Sequence, residues 1–87
     1  FRTEKITFGT AALHPGQTGA IDNGHPNGHE VFFVVRGTVI LRTPHDNVCY
    51  QMSEGDAILM PEAVPHELTN IGTELAVVSF SLAPSEL

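Results

Sequence analysis

Helical spacing of apolar positions is hard to find along this chain. Short runs rich in Val, Ile, Phe and Thr recur instead: KITFGTAAL, HEVFFVVRG, TVILRTP, VCYQM, DAILMP, HELTNIG and ELAVVSFSLA. Between them lie HPGQTG, DNGHPNG, TPHDN, SEGD, PEAVP and IGTE, which hold the Gly, Pro, Asn and Asp that tight turns require. Many short strands with such punctuation predict an all-β sandwich or barrel. No linker or low-complexity tract interrupts the pattern, so residues 1–87 are read as one domain.

Parity within these strands sorts the side chains. Residues two apart in an extended chain share a face. Glu30 therefore shares one with Phe32 and Val34, while His29, Val31, Phe33 and Val35 take the other. His66, Leu68 and Asn70 form a second same-face set, and Asn23 shares a face with His25 if that stretch is extended. Pro26-Asn27-Gly28 is a turn-prone insert, through which parity does not carry from His25 to Glu30.

Size and charge narrow the range of partners. A domain of 87 residues buries only roughly 60–65% of its unfolded surface and is marginal alone. Charged residues make up 16% of the chain, against about 25% in an ordinary soluble domain. Both facts, with the outward set Val31, Phe33 and Val35, predict cover by a second subunit, and a homodimer is expected. Net charge is −6, with Arg2, Lys5, Arg36 and Arg42 as the only cations and no cluster among them. That excludes nucleic acid, which demands clustered Lys and Arg, and argues against an anionic membrane surface. No apolar run approaches the roughly 18 residues of a membrane span. No charged-then-apolar leader is visible, although the chain opens on Phe1, which is compatible with trimming. A cytoplasmic location is expected. The single cysteine, Cys49, excludes an internal disulfide, and its strand-like surroundings predict a buried, inert thiol.

The chemistry-bearing residues crowd two places. NGHPNGHEVFFVVRG places His25 and Glu30 at the mouth of the most apolar strand, and His66 opens another strand after PEAVP. Two imidazoles and a carboxylate, with positions left open for water or substrate, suit a mononuclear divalent transition metal such as Zn, Fe, Mn or Ni. A carboxylate in an apolar strand is costly unless paired or ligated. No serine lies in a nucleophile elbow and no glycine-rich loop leads into a helix.

These two segments resemble the two motifs of the cupin superfamily. The first motif has two histidines one residue apart, a glutamate four or five positions later and a glycine after six more; Asn23, His25, Glu30 and Gly37 stand at those places. The second runs from glycine through proline, glycine and histidine to asparagine; Gly55, Pro61, His66 and Asn70 match it, with Ala63 at the second glycine. The resemblance covers the central half of the chain and implies a small antiparallel jelly-roll barrel with His25, Glu30 and His66 directed inward as metal ligands. Asn23 replaces the first histidine, so that it is a weak or absent ligand, and Gln17 stands where a glycine is usual. His29 falls at a position that is normally acidic and does not ligate.

Cupins include dioxygenases, decarboxylases, isomerases and lyases as well as sugar-binding sensory domains. The resemblance therefore implies a metal-dependent enzyme acting on a small organic molecule, with Phe32, Val34, Ile58 and Met60 as an apolar wall and no residue marked as general base. The alternative is a non-catalytic small-ligand-binding or sensory cupin, and a third is an oligomerisation scaffold. Beside these readings, His14 and His45 are expected to be solvated turn residues. Phe8, Phe32, Phe33, Phe80 and Tyr50 are expected in the core or at subunit contacts, and Arg36 in an ion pair.

Overall fold

The computed structural model describes residues 1–85. Eight strands follow one another: β1 (Thr7–Leu13), β2 (Thr18–Asp22), β3 (His29–Arg36), β4 (Thr38–Thr43), β5 (Val48–Ser53), β6 (Ala57–Met60), β7 (His66–Asn70) and β8 (Ala76–Ala83). They form two four-stranded antiparallel sheets in the orders β1-β8-β3-β6 and β2-β7-β4-β5. The sheets face each other as a jelly-roll sandwich and do not close into a continuous barrel. The all-β jelly-roll expected from the sequence is the fold. Among the described residues no helix is long and apolar enough to cross a membrane.

Period-two patterning explains how the layers meet. Along β3, Glu30, Phe32 and Val34 are buried while His29, Val31, Phe33 and Val35 are exposed. On β4 the buried positions are Val39, Leu41 and Thr43, and on β7 they are His66, Leu68 and Asn70. Leu41 lies opposite Leu68 in register, and both are fully buried with Val34, Val39 and Val78 between the sheets. Each large side chain buried in this way contributes roughly 1.5–3 kcal/mol.

Motif residues hold the ends of these strands. Gly37, between β3 and β4, has φ +89°, and a Cβ there would come within 3.0 Å of Ala76 Cα. Left-handed backbone and close approach therefore both demand glycine. Asn70, buried at the end of β7, donates through Nδ2 to the carbonyls of Leu13 and Glu74 and accepts from Gly72 N–H through Oδ1. Ala63 stands at the other motif glycine and adopts φ 61°, a conformation that costs a side-chain-bearing residue about 1–2 kcal/mol. Ala63→Gly is expected to raise stability in urea unfolding by about 1 kcal/mol, the strain relieved outweighing the added freedom of the unfolded chain.

Cys49 departs from expectation, being exposed. β5 is the outer strand of its sheet, and of its six residues only Met52 is buried. A short run such as VCYQM does not reveal that one edge and one face of its strand will be left uncovered. The outward face of the other sheet carries Phe8, Val31, Phe33, Val35 and Leu59, all exposed.

Candidate metal centre

Four side chains able to ligate a metal arrive at one place from three strands and a loop. Antiparallel pairing of β2 with β7 sets Asp22 opposite His66, so their side chains share the inner face. Inward parity on β3 brings Glu30 to the same place from the opposing sheet. His25 reaches it from the loop between β2 and β3, whose first turn is closed by Gly24 N–H donating to Asp22 Oδ1 at 2.7 Å. That loop is pinned from the other side by Ala63 N–H donating to the carbonyl of His25.

Distances are those of converging donors. His25 Nε2 lies 3.0 Å from Asp22 Oδ2 and 3.3 Å from Glu30 Oε1, and His66 Nε2 lies 2.9 Å from Glu30 Oε1. One ligand atom from each of Asp22, His25 and His66 falls within 4.8 Å of the other two. Glu30 Oε1 is buried, and despite these short contacts it accepts no hydrogen bond of good alignment. A buried carboxylate oxygen left in that condition is costly. Nitrogen and oxygen donors gathered this closely fit a divalent cation, and two imidazoles with carboxylate oxygens suit Zn, Fe, Mn or Ni.

His66 is held in orientation by its other nitrogen, where Nδ1 bonds the Val64 carbonyl at 2.9 Å. Its ring meets Phe32 edge-on at 5.3 Å between centroids. Such a second bond fixes the tautomer of a ligating imidazole and leaves Nε2 for the metal. Burial alone would lower the His66 pKa, but the Glu30 carboxylate, the Val64 carbonyl and Asp22 together outweigh it and raise it above its ordinary value of 6.5. Without metal, that interaction stabilises the fold most below pH 6.5 and is lost as pH rises through the raised value. A metal at Nε2 must displace this proton.

These groups border a cavity of about 380 Å³, within the range of small-molecule sites. Its apolar wall consists of Phe32 from β3, Phe80 and Leu82 from β8, Ala11 from β1, and Ala20 and Ile21 from β2. Gly9 makes room for Phe80, since a Cβ there would lie 2.6 Å from the ring's Cζ. Of the wall expected from sequence only Phe32 is present. Ile58 and Met60 border a separate groove with Tyr50 and Val64, and Val34 is sealed in the core. Phe80, expected in the core or at a subunit contact, lines the cavity as well.

The structure brings together His25, Glu30 and His66 and adds Asp22, which strand parity alone does not place there. Asn23 is exposed and does not line the cavity. A bulge between Gly19 and Asp22, with Ala20 at φ 49°, shifts the strand's parity and leaves Asp22 facing inward. The overlooked signal was Asp22-Asn23-Gly24 itself, because an Asp two residues before such a turn commonly bonds its backbone. His14 and His45 are exposed, as expected, and Arg36 pairs with Glu74 at 3.9 Å.

Comparison with known proteins agrees with this architecture. Residues 9–82 match the family model of the cupin domain. Comparison with curated proteins gives no match. Among solved structures, TT1209 from Thermus thermophilus is 25% identical, with a TM-score of 0.83 over 97% of this chain and 77% of that one. A conserved Klebsiella pneumoniae protein with a double-stranded β-helix domain is 22% identical, with a TM-score of 0.90 over 99% of this chain and 73% of its own. KdgF from a Halomonas species is 17% identical, with a TM-score of 0.81 over 99% and 74% respectively. With the cupin family model matched over most of its length, the chain belongs to the cupin family.

Proposed function

We propose that this protein is a divalent-metal-dependent cupin enzyme that acts on a small organic molecule bound in its cavity. The observation that carries this reading is the gathering of Asp22 Oδ2, His25 Nε2, Glu30 Oε1 and His66 Nε2 at the cavity wall. Asp22, His25, Glu30 and His66 hold the metal. Two carboxylates offset its charge, which makes a strongly acidic local field tolerable inside the sandwich. When bound, such an ion supplies a Lewis acid for a substrate oxygen. Phe32, Phe80 and Leu82 take the apolar body of the substrate and exclude water from that side. Reactions of the dioxygenase, isomerase, decarboxylase or lyase type all suit this arrangement.

Turnover of small carbonyl, phenolic and hydroxy-acid compounds by the protein loaded with Zn, Fe, Mn or Ni tests the proposal. Activity with at least one metal, lost in His66→Ala, is expected. Saturable binding of such compounds with no turnover would instead assign the chain to the ligand-binding cupins. A single exposed cysteine and the lack of any disulfide suit a reducing compartment such as the cytoplasm.

The same reading includes a homodimer. Phe8, Val31, Phe33, Val35 and Leu59 make an apolar face on a protein with few charges, and such patches are usually covered. Sedimentation is expected to give twice the chain mass of 9.4 kDa, and Phe33→Glu to return the monomer. A wild-type monomer at micromolar concentration would contradict this.

A further inference from the structure

Taking the cavity as the ligand site proposed above, we infer that its substrate carries a carboxylate, and that Arg2 holds this group. The N-terminal residues fold back on β1. Phe8 N–H donates to the Phe1 carbonyl at 2.9 Å and Thr3 N–H to the Ile6 carbonyl at 2.8 Å, while the Phe1 and Phe8 rings meet at 5.9 Å. Within this hairpin Arg2 bridges Thr7. Partners across an antiparallel ladder direct their side chains to one face. Phe8 lies outward and Thr7 inward, so Arg2 follows Thr7 into the cavity, whose wall it joins.

Register then places Arg2 relative to the metal centre. Thr7 lies opposite Leu82, and Leu82 opposite Glu30. Arg2, Thr7, Leu82 and Glu30 thus form one row across the sheet, with inter-strand steps of about 4.8 Å. Arg2 is at one end of that row and the ligating carboxylate at the other, with an apolar side chain between them. A molecule lying along the row meets a cation, then hydrocarbon, then the metal centre.

Charge decides what the cation is for. Of the chain's four Lys and Arg, Arg2 alone lines the cavity. Arg42 is bonded to Glu67 at 2.7 Å and Arg36 is paired with Glu74, whereas Arg2 makes no ion pair among the described residues. A guanidinium presents a planar fork that matches a carboxylate's two oxygens. One such fork, in a chain of net charge −6 and in a cavity it shares with Asp22 and Glu30, balances a monoanion and not a phosphate dianion.

Benzoate and hexanoate, with benzyl alcohol and hexanol as their uncharged counterparts, probe this directly. Affinities are measured by NMR titration of wild type, Arg2→Gln and Arg2→Lys, each with and without Zn, and Zn affinity is measured in the same samples by chelator competition. The metal-free arm separates a carboxylate on Arg2 from one bound to Zn. In that arm wild type is expected to bind at least one acid tenfold or more tightly than its alcohol. Arg2→Gln should abolish that preference with its Zn affinity and thermal midpoint unchanged, and Arg2→Lys should retain only part of it. The inference is overturned if neither acid is preferred over its alcohol by wild-type metal-free protein, or if Arg2→Gln keeps the preference. Failure to bind Zn, with the Arg2-dependent preference intact, would instead remove the metal-dependent function and leave the carboxylate site standing.

Discussion

Asn70→Ala is expected to lower the unfolding free energy by about 3 kcal/mol. Asn70 is 1% exposed, and its amide makes three bonds of 2.8 Å, to the Leu13 carbonyl, the Glu74 carbonyl and the Gly72 amide. Each buried polar partner stranded by the substitution costs about 1–3 kcal/mol, with the low end fitting groups near water such as Gly72 and Glu74. Three such costs near the low end give the estimate, and the methyl that remains leaves a void besides. For a domain this size the midpoint should fall by on the order of 15 °C. Asn70→Asp retains the shape but sets a carboxylate against two carbonyl oxygens, so it should be no better than alanine at neutral pH. Urea unfolding of both variants checks the prediction; losses below about 1 kcal/mol would mean that water replaces the amide at little cost. The motif asparagine is on this account a clamp between β1, β7 and the turn into β8, and has no part in binding.

The second large effect concerns the metal. His66→Ala is expected to weaken Zn binding at least a hundredfold, about 2.7 kcal/mol, because it removes a buried donor whose orientation the Val64 carbonyl fixes. Asp22→Ala should cost tenfold or more, since Oδ2 is 3.0 Å from His25 Nε2 and Asp22 is set opposite His66. Asn23→Ala should change nothing. Asn23→His, which the motif spacing alone makes an attractive way to restore a fourth strong ligand, should also leave affinity unchanged, because position 23 is exposed. Competition with a chelating dye across the four variants gives the ranking. A loss in Asn23→Ala together with none in Asp22→Ala would mean that the loop from 22 to 28 is arranged differently around the metal.

What was legible in the sequence follows the reach of local rules. Period-two patterning places Glu30 inward and Val31 and Phe33 outward, and it puts His66, Leu68 and Asn70 on one buried face, because β3 runs without irregularity as far as Val34 and β7 does so along its pairing with β4; Val35 is exposed beside a register shift. Asp22 escapes the same rule because the bulge before it resets the alternation, and a bulge in a stretch such as TGAID leaves little trace. The cavity wall escapes it for a different reason. Phe80, Leu82 and Ala11 reach the site only because β8 lies between β1 and β3, a pairing across most of the chain. Arg2 depends on that sheet as well, since its position is inherited from Thr7. Cys49 is exposed because β5 ends its sheet, which no feature of VCYQM encodes.

The most direct test of the central claim is the metal content of the wild-type protein, purified without a metal-affinity tag and measured by elemental analysis before and after incubation with Zn, Fe, Mn and Ni. The cluster of Asp22, His25, Glu30 and His66 predicts one divalent transition metal per chain, absent from His66→Ala handled identically. A wild-type protein that remains metal-free after all four incubations would contradict it.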